Sequence, residues 1–114
     1  MAYDVEVDSR IRRVIKTWGN SSSKKMFGGT CHLLNGNMFC GVYREFLILR
    51  LGEKGSAEAL MNPFVKPMET TGKPMKGWVM VEKQGIENDE ELSAWLEKAR
   101  AFAMSLPSKT PPEG

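Results

Sequence analysis

Lys24-Lys25-Met26-Phe27-Gly28-Gly29-Thr30-Cys31-His32-Leu33-Leu34-Asn35-Gly36-Asn37-Met38-Phe39-Cys40-Gly41-Val42-Tyr43 is the stretch whose reading decides the fold. Asn35-Gly36 is a strong two-residue hairpin signal, because a type I′ turn needs positive φ at both central residues. With that turn, Leu34 faces Asn37, Leu33 faces Met38, His32 faces Phe39 and Cys31 faces Cys40. Side chains alternate along a strand, so Phe27, Cys31, Leu33, Met38, Cys40 and Val42 share one face, and Met26, His32, Leu34, Phe39 and Tyr43 the other. Two apolar faces predict a central hairpin covered on both sides. Gly28-Gly29 interrupts the first strand. It reads as a bulge or a close backbone approach, with a site where a ligand nears the backbone as the alternative.

Working outward, Val7, Ile11, Val14, Ile15 and Trp18 recur at helical spacing, which predicts a first helix over residues 4–18. Arg10, Arg12, Arg13 and Lys16 lie mostly off that stripe, as the solvated side of an amphipathic helix or as contacts to a phosphate backbone. After the hairpin, Tyr43-Arg44-Glu45 turns the chain into an apolar strand, Glu45 to Gly52. Arg50 is the one charge within its apolar run and is expected to hold a carboxylate, with an anionic ligand as the alternative. Ser56 is placed to cap a short helix, Ala57 to Met61, which Asn62-Pro63 stops.

Residues 62–75 hold Pro63, Pro67, Gly72 and Pro74 and read as an ordered loop anchored by Phe64, Val65 and Met68. Long loops often carry function, and Lys66, Lys73 and Lys76 make this one basic. A last strand follows over Met75 to Lys83. Asn88 with Glu91 three residues on is a capping box, with acidic residues at the positive end of the helix dipole. That helix runs to about Leu106, burying Leu92, Trp95, Leu96, Ala99, Phe102, Ala103 and Leu106, and Pro107 ends it. The expectation is an α+β fold: an antiparallel sheet of about four strands, with an N-terminal helix, a short middle helix and a long C-terminal helix packed on it. The whole of residues 1–114 is read as one domain, ordered to about residue 106, with 107–114 a flexible tail.

The 114 residues carry a formal net charge of +2, too small to argue by itself for nucleic acid. No apolar run is long enough to span a bilayer, and Met1-Ala2-Tyr3-Asp4-Val5-Glu6 lacks the pattern of a signal peptide. The expected location is the cytoplasm, and no membrane contact is expected. Two cysteines fit a reducing compartment. Their predicted pairing puts Cα atoms about 4.5 Å apart in a non-hydrogen-bonded site, so a redox bridge Cys31–Cys40 stands beside the reading of two buried small hydrophobes.

Several chemistries find no residues to carry them. On a strand, the single histidine, His32, points away from Cys31, which removes a Cys–His nucleophile pair and a shared metal site. Two cysteines alone are too few for zinc. Gly28-Gly29 opens no phosphate loop, since neither GxxxxGK[ST] nor GxGxxG follows a strand into a helix. His32 is expected in the core or packed across strands, and Trp78 and Trp95 in the core. No catalytic residue, cofactor or metal is expected.

Lys24-Lys25-Met26-Phe27-Gly28-Gly29, Asn35-Gly36-Asn37-Met38, Leu49-Arg50-Leu51, Pro67-Met68, Thr71-Gly72-Lys73-Pro74-Met75-Lys76-Gly77-Trp78-Val79, Leu92 to Trp95 and Ser105-Leu106-Pro107-Ser108-Lys109 together resemble the TfoX/Sxy N-terminal domain family. The resemblance runs in order over nearly the whole chain and implies an antiparallel sheet with helices on it. The family's namesakes regulate natural competence in bacteria, act with transcription factors at promoters, and carry a second, C-terminal helical domain. This sequence ends just after the first, and a single-domain member is the expectation. The family supplies no established catalytic residues.

The functional expectation is a non-enzymatic cytoplasmic regulatory or interaction domain. Its partner is a protein, with the transcription machinery in view, and it is a monomer or a homodimer. The candidate contact surface is Gly28, Gly29, Phe64, Lys66, Lys73 and Lys76. Direct nucleic-acid binding through Arg10, Arg12, Arg13, Lys24 and Lys25 is one alternative; a thiol switch through Cys31 and Cys40 is another.

Overall fold

The structure is a computed structural model and describes residues 4–19, 21–26, 29–70 and 73–107. The chain runs α1 (Val5–Ile15), β1 (Ser21–Met26), β2 (Gly29–Leu34), β3 (Asn37–Tyr43), β4 (Phe46–Arg50), α2 (Gly52–Ala59), β5 (Val65–Thr70), β6 (Lys73–Val81), a 3-10 turn (Lys83–Ile86) and α3 (Asp89–Met104). It is the expected α+β fold, with one antiparallel sheet of six strands in the order β1-β2-β3-β4-β6-β5.

Two strands exceed the expected four, and both come from glycine or proline signals read too simply. The first expected strand is two strands: β1 and β2 pair antiparallel with Met26 opposite Gly29, and residues 27–28 between them lie outside the described residues. The predicted loop 62–75 holds β5, which pairs with β6 from Val65↔Val81 to Thr70↔Lys73, with a register irregularity between Pro67 and Glu69. Edge position explains the proline: β5 is the outer strand, where a missing N–H breaks no ladder on the solvent side.

The β2–β3 hairpin forms with Asn35 (φ 53°) and Gly36 (φ 82°) at its turn. Leu34↔Asn37 and Leu33↔Met38 pair as expected, but His32 faces Cys40 and Cys31 faces Gly41. Phe39 is therefore an extra residue in β3, a bulge. The bulge turns both Phe39 and Cys40 into the helix-side core, whereas Cys31 belongs to a separate buried cluster with Ile48, Met68 and Trp78. The expected Cys31–Cys40 cross-strand pair does not exist, and both thiols are free.

α1 starts on Asp4, whose carboxylate accepts from the N–H groups of Glu6 and Val7, and it buries Val7, Asp8, Ile11 and Ile15. α3 has the predicted capping box, Asn88 with Glu91. Its stripe Leu92, Leu96, Ala99 and Ala103 is buried against the sheet. Each buried leucine is worth about 1.5–3 kcal/mol, so packing rather than intrinsic helicity holds α3 in place. α2 differs from expectation. It begins at Gly52, and Ser56 lies buried inside it instead of capping it. The Leu51 N–H is held by the Gly77 carbonyl at 2.8 Å, and the helix starts five residues early. Arg50 meets no carboxylate among the described residues; it donates weakly to the Met38 carbonyl at 3.5 Å and lies over the Phe102 ring. The expected tail falls largely on residues 108–114, outside the described residues. Among the described residues, no helix is long and apolar enough to cross a membrane.

Candidate functional site

β1 is an edge strand of serines and lysines laid beside α1, and between them lies a chain of polar side chains. Register decides which side chains meet there. Ser23 faces His32 and Lys25 faces Thr30, so these four share the helix side of the sheet; Lys24 faces Cys31 on the other side. His32 is fully buried. Its Nε2 lies 2.7 Å from Asp8 Oδ1 and its Nδ1 lies 2.8 Å from Ser23 Oγ. Asp8 in turn accepts from Arg12 Nε at 2.7 Å, one helical turn on. The chain Arg12–Asp8–His32–Ser23 thus crosses from α1 through β2 to β1.

Burial dominates the protonation of this histidine. It pushes the His32 pKa below its ordinary value, outweighing the upward pull of the Asp8 hydrogen bond and charge, and the nearby Arg12 adds to the depression. The ring is then neutral near pH 7. Nε2–H donates to the Asp8 carboxylate, and Nδ1 accepts the Ser23 hydroxyl proton. Serine, histidine and aspartate are the residues of a hydrolytic triad, yet here the aspartate sits on Nε2 and the serine on Nδ1, the reverse of the serine-protease order. The arrangement can polarise Ser23 and fix its rotamer. The groups around it are cations.

Two hollows open over this chain. One of about 350 Å³ is lined by Arg12, Arg13, Ile15, Lys16, Ser21, Ser22 and Ser23. The other, of about 310 Å³, is bordered by Arg12, Ser23, Lys24, Lys25 and Thr30. They share Arg12 and Ser23. Of the five basic residues singled out in the sequence, Arg12, Arg13, Lys24 and Lys25 therefore gather at one groove. Arg10 does not: it pairs with Asp89 at the start of α3, 3.3 Å away.

The other expected surface is divided. Gly29 is in β2, and three strands separate it from β5. A Cβ on Gly29 would come within 2.0 Å of the Val42 carbonyl oxygen, so close strand approach explains this glycine without a ligand. Gly28 lies outside the described residues. Phe64 is 38% exposed just before β5, next to Leu60 and the 86% exposed Met61. Lys66 pairs with Glu82 at 3.6 Å; Lys73 belongs to β6, and Lys76, farther along it, is exposed. Beside the apolar trio, a hollow of about 410 Å³ is lined by Leu51, Gly55, Glu58, Ala59, Asn62, Trp95 and Lys98. Burial raises the Cys31 pKa and pushes that of Cys40 well up, leaving poor thiolates. Among the described residues, no group of three or more His, Cys, Asp or Glu side chains is placed to hold a metal.

Sequence reasoning placed His32 in the core but missed Asp8 and Ser23 as its partners. The signal was present: Asp8 lies next to Val7 and three residues before Ile11, squarely on the buried stripe, where a carboxylate must find a donor.

The sequence model of the TfoX N-terminal domain family matches residues 13–103, most of the chain. Asp8 and Arg12 precede the matched span. No curated protein matches at a significant level.

Proposed function

Because the chain belongs to the TfoX N-terminal domain family, we propose that it is a regulatory domain that acts by docking another protein, with no chemistry of its own. One observation carries this reading: Leu60, Met61 and Phe64, large apolar side chains 40%, 86% and 38% exposed, follow one another along the chain where α2 ends. Ala59 and Asn62, on either side of Leu60 and Met61, line the hollow toward Trp95 and Lys98. Protein interfaces favour such an arrangement, with Met and aromatic anchors around a concavity and a polar rim. Glu58 and Lys98 supply that rim. The partner belongs to the transcription machinery and the setting is the cytoplasm, in keeping with the family's namesakes.

Capture of partners from cells, with this chain as bait, tests the reading when repeated with Met61→Asp. Met61 is exposed, so the substitution leaves folding intact. The expected result is at least one partner held by the parent chain and reduced about tenfold or more by Met61→Asp. Equal recovery with both baits would remove this surface from the account.

A further inference from the structure

We propose that the hollow between α1 and β1 is a specific site for a phosphoryl oxyanion, bound by the Arg12 guanidinium, the Lys25 ammonium and the hydroxyls of Ser23 and Thr30. The inference is independent of the protein-docking surface at the end of α2.

Three observations converge on it. Arg12 is preorganised: its Nε is held on Asp8 at 2.7 Å, which leaves the other guanidinium nitrogens to turn toward the hollow. Lys25 and Thr30 are directly opposed across β1 and β2, with Ser23 two residues along the same face. Thr30 supplies the independent evidence. It is 2% exposed, it borders the hollow, and its Oγ1 has no hydrogen-bond partner. A buried hydroxyl left unpaired is costly, and an oxyanion resting on the floor of the hollow accepts its proton. Charge-assisted hydrogen bonds from Arg, Lys and hydroxyl groups are the donor set that phosphoryl groups take.

Ser23 gives the site a proton linkage. Without the anion, its hydroxyl proton is committed to His32 Nδ1. To donate to an oxyanion the hydroxyl must turn away, and Nδ1 then takes up a proton and donates to Ser23 Oγ instead. The groups facing the ring are Asp8 and Arg12 from α1, Ser23 from β1 and Cys40 from β3. Asp8, at 2.7 Å, balances the charge of the imidazolium that forms. Anion binding is therefore coupled to protonation of His32 and tightens as pH falls.

The test is calorimetric titration with sulfate, a dianion that does not itself titrate between pH 5.5 and 7.5, against chloride at matched ionic strength. Saturable binding that is tighter at the lower pH is expected. Thr30→Val removes only the orphan hydroxyl, so it should fold at least as stably as the parent and bind about tenfold more weakly. Ser23→Ala should bind more weakly and lose the pH dependence. Absence of saturable sulfate binding, or binding by both variants equal to the parent, would overturn the site. Phosphate and a short DNA duplex then distinguish the sources of the ligand. Displacement of bound duplex by phosphate assigns the site to a nucleic-acid backbone; saturable phosphate binding without duplex binding assigns it to a small phosphate ester.

Discussion

His32 takes its environment from three elements at once: Asp8 and Arg12 from α1, Ser23 from β1 and the facing Cys40 from β3. A ring held neutral by burial makes stability depend on pH with a definite sign. The unfolded ring binds its proton near the ordinary 6.5, and the folded ring binds it less tightly. Unfolding therefore takes up a proton, so stability is complete above that value and falls as pH drops below it, levelling off under the folded-state pKa. Asp4 works in a lower range. Lys83, aided by the N–H groups of Val7 and Glu6, holds its pKa below 3.8, so its contribution is lost only in stronger acid. Thermal unfolding of the parent and of His32→Gln at pH 7.5 and 5.5 separates the two. The parent is expected to lose melting temperature over this interval and the variant to lose clearly less; equal slopes would mean that the ring does not carry the linkage.

The elements show which signals in the sequence were sufficient and which were not. Asn35-Gly36 and the Asn88–Glu91 capping box are local devices, complete within four residues, and both form as read. Removing the cap with Asn88→Ala is expected to cost about 1 kcal/mol, seen as a lower denaturant midpoint at unchanged m-value; no change would show that α3 is held by its buried leucines alone. Non-local features were hidden. A bulge at Phe39 is invisible to simple alternation, and it alone moved Cys40 opposite His32 and undid the expected thiol pair. Ser56 resembled a cap, but the Leu51 tie to Gly77, 26 residues away, set where α2 begins. Likewise Pro67 and Gly72 argued for a loop because nothing local shows that β5 will be an edge strand. The α+β architecture was legible from periodicity. Asp8 could be read as a buried carboxylate in need of a donor, but that His32 is that donor was not legible, because a hydrogen bond across 24 residues leaves no periodic trace.

At the scale of the whole molecule, the sheet keeps two surfaces apart. The basic groove lies at the β1 edge under α1, and the apolar shoulder lies where α2 leads into β5, the opposite edge of the strand order. The net charge of +2 is modest because acidic residues sit elsewhere: Asp89, Glu90 and Glu91 are gathered in the first turn of α3. Arg12, Arg13, Lys24 and Lys25 gather at the groove, a local concentration of positive charge that suits an anion site. The central claim is that these are two separate binding surfaces on one TfoX-type domain. Amide chemical-shift mapping of the isotope-labelled protein addresses it most directly, first with sulfate and then with a partner lost by Met61→Asp. Sulfate is expected to move the resonances of Arg12, Ser23, Lys25 and Thr30, and the partner those of Ala59 to Phe64 together with Trp95 and Lys98. Shifts from both ligands on one shared surface, or sulfate shifts scattered without focus on the groove, would contradict the account.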